Sequence, residues 1–175
     1  KKTDNFKIII LPLSFYDSPS GYGGSLFDDF YDWLLFILKL SLKTNYDWYI
    51  KLHPDVLLKW DYLNYAVVKN LIKKFKHIKW INPEISHNQI INEGINAALT
   101  IHGTVGSEYP YFNIPVVNAS KNNPHMNYNF NYHPQNSKEL EKIILNLPNM
   151  KKKIDKKEIL EFYFMHHVLP KYNWL

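Results

Sequence analysis

The sequence predicts an α/β fold: a Rossmann-like parallel sheet of about five or six strands with helices on both faces. Three observations carry that expectation. Short runs such as "FKIIILPL" (6–13) are almost continuously apolar and rich in β-branched residues, as strands buried on both faces are. Stretches of helical periodicity alternate with those runs along the chain. Helix start and stop signals separate the two kinds of segment.

The elements follow in order. After 6–13 comes a turn-rich loop, "SFYDSPSGYGGS" (14–25), and then a long helix over 26–43. Ser25 is the expected cap of that helix. Asp28 and Asp29 lie in its first turn, and Lys39 and Lys43 near its end, which suits the helix dipole. "YDWYIKLHP" (46–54) is a second strand, stopped by Pro54. A helix over 63–75 and a short strand over 77–81 follow. The helix over 86–94 has Ser86 as cap and Gly94 as stop. A strand over 96–102, a short helix over 106–113 and a strand over 114–119 complete the sheet. The polar loop 120–136 has no periodicity, and helices near 137–147 and 155–167 close the chain. Five strands within about 120 residues make one Rossmann-like half.

Composition bounds the function. The chain has 175 residues, 46% of them hydrophobic and 21% charged, enough for one domain with a sizeable core. It begins at Lys1 without Met, so residues 1–175 are read as one domain cut from a longer protein. The formal charge of +5 suits phosphates, and no motif or charge concentration points to nucleic acid. The run Lys151, Lys152, Lys153, Lys156 and Lys157 reads as a solvated helix face. Cysteine is absent, which removes disulfides and thiolate metal sites. No stretch reaches the roughly 18 apolar residues of a membrane span. The expected location is the cytoplasm, with peripheral inner-membrane association through the part of the protein beyond this chain.

Ligands of open parallel sheets bind outside the carboxyl ends of the strands, so the candidate residues are those at strand ends. After the first strand, Gly21, Gly23 and Gly24 precede a helix, where backbone amides approach phosphates closely. Asp17 in the same loop is a general base, an acceptor contact or a turn residue. The second strand ends in "IKLHPD". There His53, held by Pro54, can donate to a phosphate or protonate a leaving group, and Lys51 shares its sheet face. The fourth strand runs into "LTIHGTVGSEYPYFNIPVVN" (99–118). Gly103 and Gly106 allow tight geometry, Thr104, Ser107 and the following amides suit an anion, and His102 stands beside them. Glu108, in the first turn of the next helix, either complements the dipole or accepts two hydrogen bonds from a ribose diol. His102, His125 and His133 match no metal-ligand spacing, so no metal is expected. His166 and His167 read as packing or surface residues.

"GSEYPYFNIPVVN" resembles the donor-binding element of GT-B glycosyltransferases, in which a Glu opens a short helix and a Pro leads into the next strand. The resemblance implies that Glu108 holds the ribose of a sugar nucleotide. Many retaining members carry a second Glu eight positions earlier. Thr100 stands there, so the chain departs from that subgroup. The blocks "LFDDFYDWLLFILKL", "DWYIKLHPD", "ISHNQIINEGINAALTIHGTVGSEYPYFNIPVVNA", "NNPHMNYNFNYHPQN" and "EFYFMHH" occur in order between about Ile8 and His167. Together they resemble bacterial capsule and surface-polysaccharide biosynthesis proteins, which include Kdo transferases with CMP-linked donors.

That resemblance implies that residues 1–175 are the C-terminal, donor-binding half of a glycosyltransferase of capsule or lipopolysaccharide synthesis. Its substrates would be a nucleotide sugar and a glycan or glycolipid acceptor, and it would use no cofactor. It further implies that His53, fixed by Pro54, contacts the donor phosphate, that Thr104 and Ser107 hold phosphate oxygens, and that a catalytic carboxylate comes from the N-terminal half. Three alternatives stand behind this reading: a CDP-glycerol or CDP-ribitol phosphotransferase, a sugar-nucleotide 2-epimerase placed third among the enzymes, and a non-catalytic module that binds a partner or glycan.

Overall fold

The computed structural model describes residues 4–15, 25–58 and 61–171. Five strands, β1 (Lys7–Ile10), β2 (Asp47–Lys51), β3 (Ile78–Ile81), β4 (Ala97–Thr100) and β5 (Val116–Asn118), form one sheet in the order β3-β2-β1-β4-β5. Every pairing is parallel. The helices between them are α1 (Phe30–Ser41), α2 (Tyr62–Ile72), α3 (His87–Asn92) and α4 (Val105–Tyr111), followed by α5 (Ser137–Asn146) and α6 (Lys156–Tyr163). This is the Rossmann-like arrangement expected from the sequence, with the strand order reversing between β1 and β4.

Strand alternation divides the interior in two. Ile8, Ile10, Trp48, Ile50, Leu99 and Val117 face a core built by α1, α2 and α5, with Trp33, Leu34, Ile37, Val68 and Ile144 buried against them. Ile9, Ala98 and Val116 face the other way, against Ile90 of α3 and Val105 and Tyr109 of α4. Each fully buried Leu, Ile or Val side chain contributes about 1.5–3 kcal/mol relative to exposure. The sheet is therefore held from both faces, and its carboxyl edge is a firm base for a site. A third cluster, Phe130, Ile159 and Phe162, docks α6 on the loop after β5.

The elements match the sequence reading in type and differ at their ends. Ser86 caps α3, its side chain accepting from the Gln89 amide, and Gly94 ends that helix at φ +81°. Ser25 does not cap α1: it bridges to Ser120, and the Leu26 amide bonds the Ala119 carbonyl, which keeps residues 25–28 out of the helix. Asp29 takes the cap, accepting from the Asp32 amide at 2.7 Å. Besides the Ser25–Ser120 bridge, loop 120–136 pairs Tyr132 with Val117 at the sheet edge. The last helix gives way at Phe164 to a π-helical turn over Phe164–Val168. No helix among the described residues is long and apolar enough to cross a membrane.

Candidate functional site

The carboxyl ends of β1, β2 and β4 open onto one cavity of about 640 Å³. It sits where ligands of such sheets bind, at the reversal of strand order. Lys51, His53, Pro54, His102, Gly103, Thr104 and Glu108 all line it. Asp17, Gly21, Gly23 and Gly24 lie outside the described residues.

Lys51 is the last residue of β2. Trp48 and Ile50 point into the α1/α2 core, so Tyr49 and Lys51 point to the opposite face. The Lys51 residue is 2% exposed, and among the described residues its ammonium makes one hydrogen bond, a long one of 3.4 Å, to the Leu52 carbonyl. Among the described residues no carboxylate oxygen lies within 4 Å of it. Burial lowers its pKa below the ordinary lysine range. A buried cation without a counter-charge is costly, and an anion entering the cavity relieves that cost.

His53 leaves the strand and caps the short 3₁₀ turn Pro54–Leu57. Its Nδ1 accepts from the Asp55 amide at 3.2 Å, so in the neutral ring the proton sits on Nε2. The Asp55 carboxylate is 3.3 Å from the same nitrogen, and that contact needs a proton on Nδ1. Both side chains are largely exposed, so the ion pair adds little and the amide bond is the better guide to ring orientation.

The segment after β4 supplies the opposite wall. Thr104 stands at the cap position of α4, but its hydroxyl makes no capping bond, and it remains exposed at the cavity. Glu108, half-buried in the first turn of α4, places a carboxylate in the same cavity. His102 is half-buried beside them, and burial lowers its pKa.

Ser107 and Gly106 do not line the cavity. The Ser107 hydroxyl donates to the Thr104 carbonyl at 3.0 Å and lies 3.3 Å from the Tyr163 hydroxyl of α6. The Gly106 and Ser107 amides are spent on the Gly103 and Thr104 carbonyls, each at 2.9 Å. Gly106 lies against His125 and Asn118. Pro110 within α4 has no N–H to offer the Gly106 carbonyl, and the Asn131 side-chain amide donates to it instead. This part of the glycine-rich turn serves packing between α4, α6 and the loop after β5.

Asp61 and His87 are cavity residues beyond the sequence reading. Asp61, 1% exposed, occupies the cap position of α2 without capping it; its carboxylate accepts from Ser14 at 2.7 Å and from the Asn64 amide at 3.5 Å. His87 opens α3, and its Nδ1 is 2.9 Å from the Tyr109 hydroxyl. An Asp or His at a helix start is visible in a sequence, but its tertiary partner is not. A larger groove of about 790 Å³ lies between Met126–His133 and α5, and none of the described residues predicted for the site lines it. Among the described residues, no group of three His, Cys, Asp or Glu side chains is placed to hold a metal ion.

No protein-family model matches the chain, and no curated sequence matches it significantly. Solved structures share its fold. The UDP-GlcNAc 2-epimerase from Neisseria meningitidis bound to UDP-GlcNAc superposes with a TM-score of 0.58 at 14% identity, over 94% of this chain and 46% of the epimerase. A putative UDP-N-acetylglucosamine 2-epimerase from Listeria monocytogenes gives a TM-score of 0.53 at 15% identity, over 89% of this chain and 40% of its own. This is a GT-B-like fold relationship. At these identities the likeness is one of fold, and the chain spans less than half the length of either neighbour.

Proposed function

We propose that the chain is the nucleotide-sugar-binding part of an enzyme that acts on nucleotide sugars. One observation carries this reading: the buried Lys51 ammonium, which has no carboxylate oxygen within 4 Å among the described residues, and the Glu108 carboxylate line the same cavity at the reversal point of the sheet. A cation at one wall suits a phosphate, and a carboxylate at the other accepts the two hydroxyls of a ribose. His53 adds a donor on the Lys51 side of the cavity, and Thr104 adds one on the Glu108 side. Charge that develops on a departing phosphate would meet donors already in place, the kind of stabilisation that typically contributes on the order of 10²–10³ in rate per donor.

Two chemistries use such a site. The fold neighbours are 2-epimerases of a nucleotide sugar, and they raise that reading from third place among the enzymes to first. The "KLHPD" turn, with its His-Pro resemblance to CMP-sugar and CDP-alditol transferases, supports the second reading: sugar transfer from a CMP-linked or other nucleotide donor to a glycan acceptor in capsule or lipopolysaccharide synthesis. In either case this chain contributes the nucleotide end, and the remaining groups come from outside it.

The test is calorimetric titration with CMP, CDP, UDP, GDP and UDP-GlcNAc, repeated on Lys51→Ala, His53→Ala and Glu108→Ala. Binding that is lost in the Lys51 and Glu108 variants supports the reading. Selective uridine binding favours the epimerase chemistry and cytidine binding the transferase. Binding that survives in both variants overturns the site. Product analysis by NMR then separates a 2-epimer from a transferred sugar.

A further inference from the structure

His87 has no role in the reading above, although it lines the same cavity. Its Nδ1 lies 2.9 Å from the Tyr109 hydroxyl, and the two rings meet edge-on, 5.6 Å apart at 80°. Tyr109 is fully buried, and burial pushes its phenol well above the usual tyrosine range, so it stays protonated. A buried O–H without an acceptor costs about 1–3 kcal/mol, and Nδ1 is the partner recorded for this hydroxyl. The phenol therefore donates to Nδ1. That leaves Nδ1 without a proton and puts the ring's proton on Nε2. With Nδ1 committed to the protein, the half-exposed remainder of the ring is what meets the cavity.

The charged groups around the ring agree with a neutral imidazole. Lys51 from β2 and His53 from the turn after it both disfavour a second proton on His87, whereas Glu108 from α4 favours one. Burial is the largest influence, and it also acts against the charged form.

We propose that His87 is a ligand-binding residue of this site: a neutral donor whose Nε2–H bonds an acceptor oxygen of the bound nucleotide, with Tyr109 as the positioning residue that sets its tautomer. The inference rests on the nucleotide-sugar reading. It adds that the cavity presents a fixed donor within the electrostatic reach of both Lys51 and Glu108, so it selects ligands with an acceptor oxygen there. That oxygen belongs to the phosphate or to the nucleoside, and the test separates the two sources.

The experiment pairs ¹⁵N NMR of the histidine rings with nucleotide titration of the 175-residue chain. In the wild type at pH 7.5, about one unit above an ordinary histidine pKa, His87 should show a protonated Nε2 and an unprotonated Nδ1. Tyr109→Phe should give a mixture of tautomers. His87→Ala should weaken CDP or UDP binding about three- to tenfold, as loss of one hydrogen bond does. His87→Gln, whose amide N–H reaches toward the position of Nε2, should recover most of that loss. Tyr109→Phe should weaken binding by a smaller factor. If the His87→Ala loss appears with cytidine or uridine as well, the acceptor is on the nucleoside; if it appears only with the nucleotides, it is a phosphate oxygen. A proton on Nδ1 in the wild type overturns the proposal. So does unchanged affinity in His87→Ala while Lys51→Ala and Glu108→Ala lose binding, and in that case the nucleotide reading stands. If the wild type binds no nucleotide, that reading fails, and this inference fails with it.

Discussion

A methyl group added to Gly106 would lie 2.6 Å from Cε1 of His125. The imidazole cannot give way easily: His125 is 3% exposed, meets the Phe162 ring edge-on at 4.6 Å and lies tilted against Phe130 at 5.7 Å. Gly106→Ala should therefore destabilise the fold by about 1–3 kcal/mol, the cost of overpacking a filled interior. Urea unfolding followed by circular dichroism measures this, and a change under 0.5 kcal/mol would mean that α4 can slide away from the loop.

The same His125 predicts a pH dependence. Burial, with neighbouring His133, His166 and His102 adding to it, lowers its pKa from the ordinary 6.5 to about 4. Between those two values the unfolded chain binds the proton and the folded chain does not, so stability rises with pH through that window and falls on acidification. The full effect is about 3 kcal/mol. Denaturant midpoints measured from pH 7 to pH 4 should fall steeply, and His125→Phe should flatten the slope.

Ser107 and Thr104 are predicted to part company. Ser107 is buried with its hydroxyl between the Thr104 carbonyl and Tyr163, whereas the Thr104 hydroxyl is exposed at the cavity. Thr104→Ala should weaken nucleotide binding a few-fold with little change in stability. Ser107→Ala should cost about 0.5–1.5 kcal/mol of stability and less affinity than Thr104→Ala. Measuring melting and nucleotide affinity for both variants checks this, and the reverse pattern would restore Ser107 as a phosphate contact.

These contrasts mark how far the sequence can be read. Short, largely apolar runs announced every strand, because a strand buried on both faces needs apolar residues regardless of what surrounds it. Strand ends are less legible: "FKIIILPL" pairs only over Lys7–Ile10, and the residues beyond it form part of the cavity wall. Lys51, His53 and Glu108 were legible because topology alone sends the carboxyl ends of parallel strands to one edge. His87 and Asp61 were not, because their meaning comes from Tyr109 and Ser14, which are distant in the chain. Ser107 and Gly106 were read onto the wall of the cavity, but the face that α4 turns inward is set by its packing on α6 and on the loop after β5.

Lys51 provides the sharpest trade between stability and binding. Its ammonium is buried with, among the described residues, a single long carbonyl contact, and burial lowers its pKa. Lys51→Met keeps the length of the side chain and removes the charge, so the ligand-free chain should become more stable by about 1–2 kcal/mol. Nucleotide affinity should fall at least tenfold in the same variant. The pH behaviour has a definite sign. Because the folded pKa lies below the unfolded one, the unfolded state holds the proton more tightly in the interval between them. The stability of the wild type should therefore rise as pH increases through that interval, and Lys51→Met should lose the rise. Nucleotide affinity should move the opposite way, weakening over the same alkaline range as the ammonium discharges. Paired melting and titration series from pH 7 to pH 10 test both trends on one protein. Parallel rather than opposed trends would show that the Lys51 charge is not what the cavity offers its ligand.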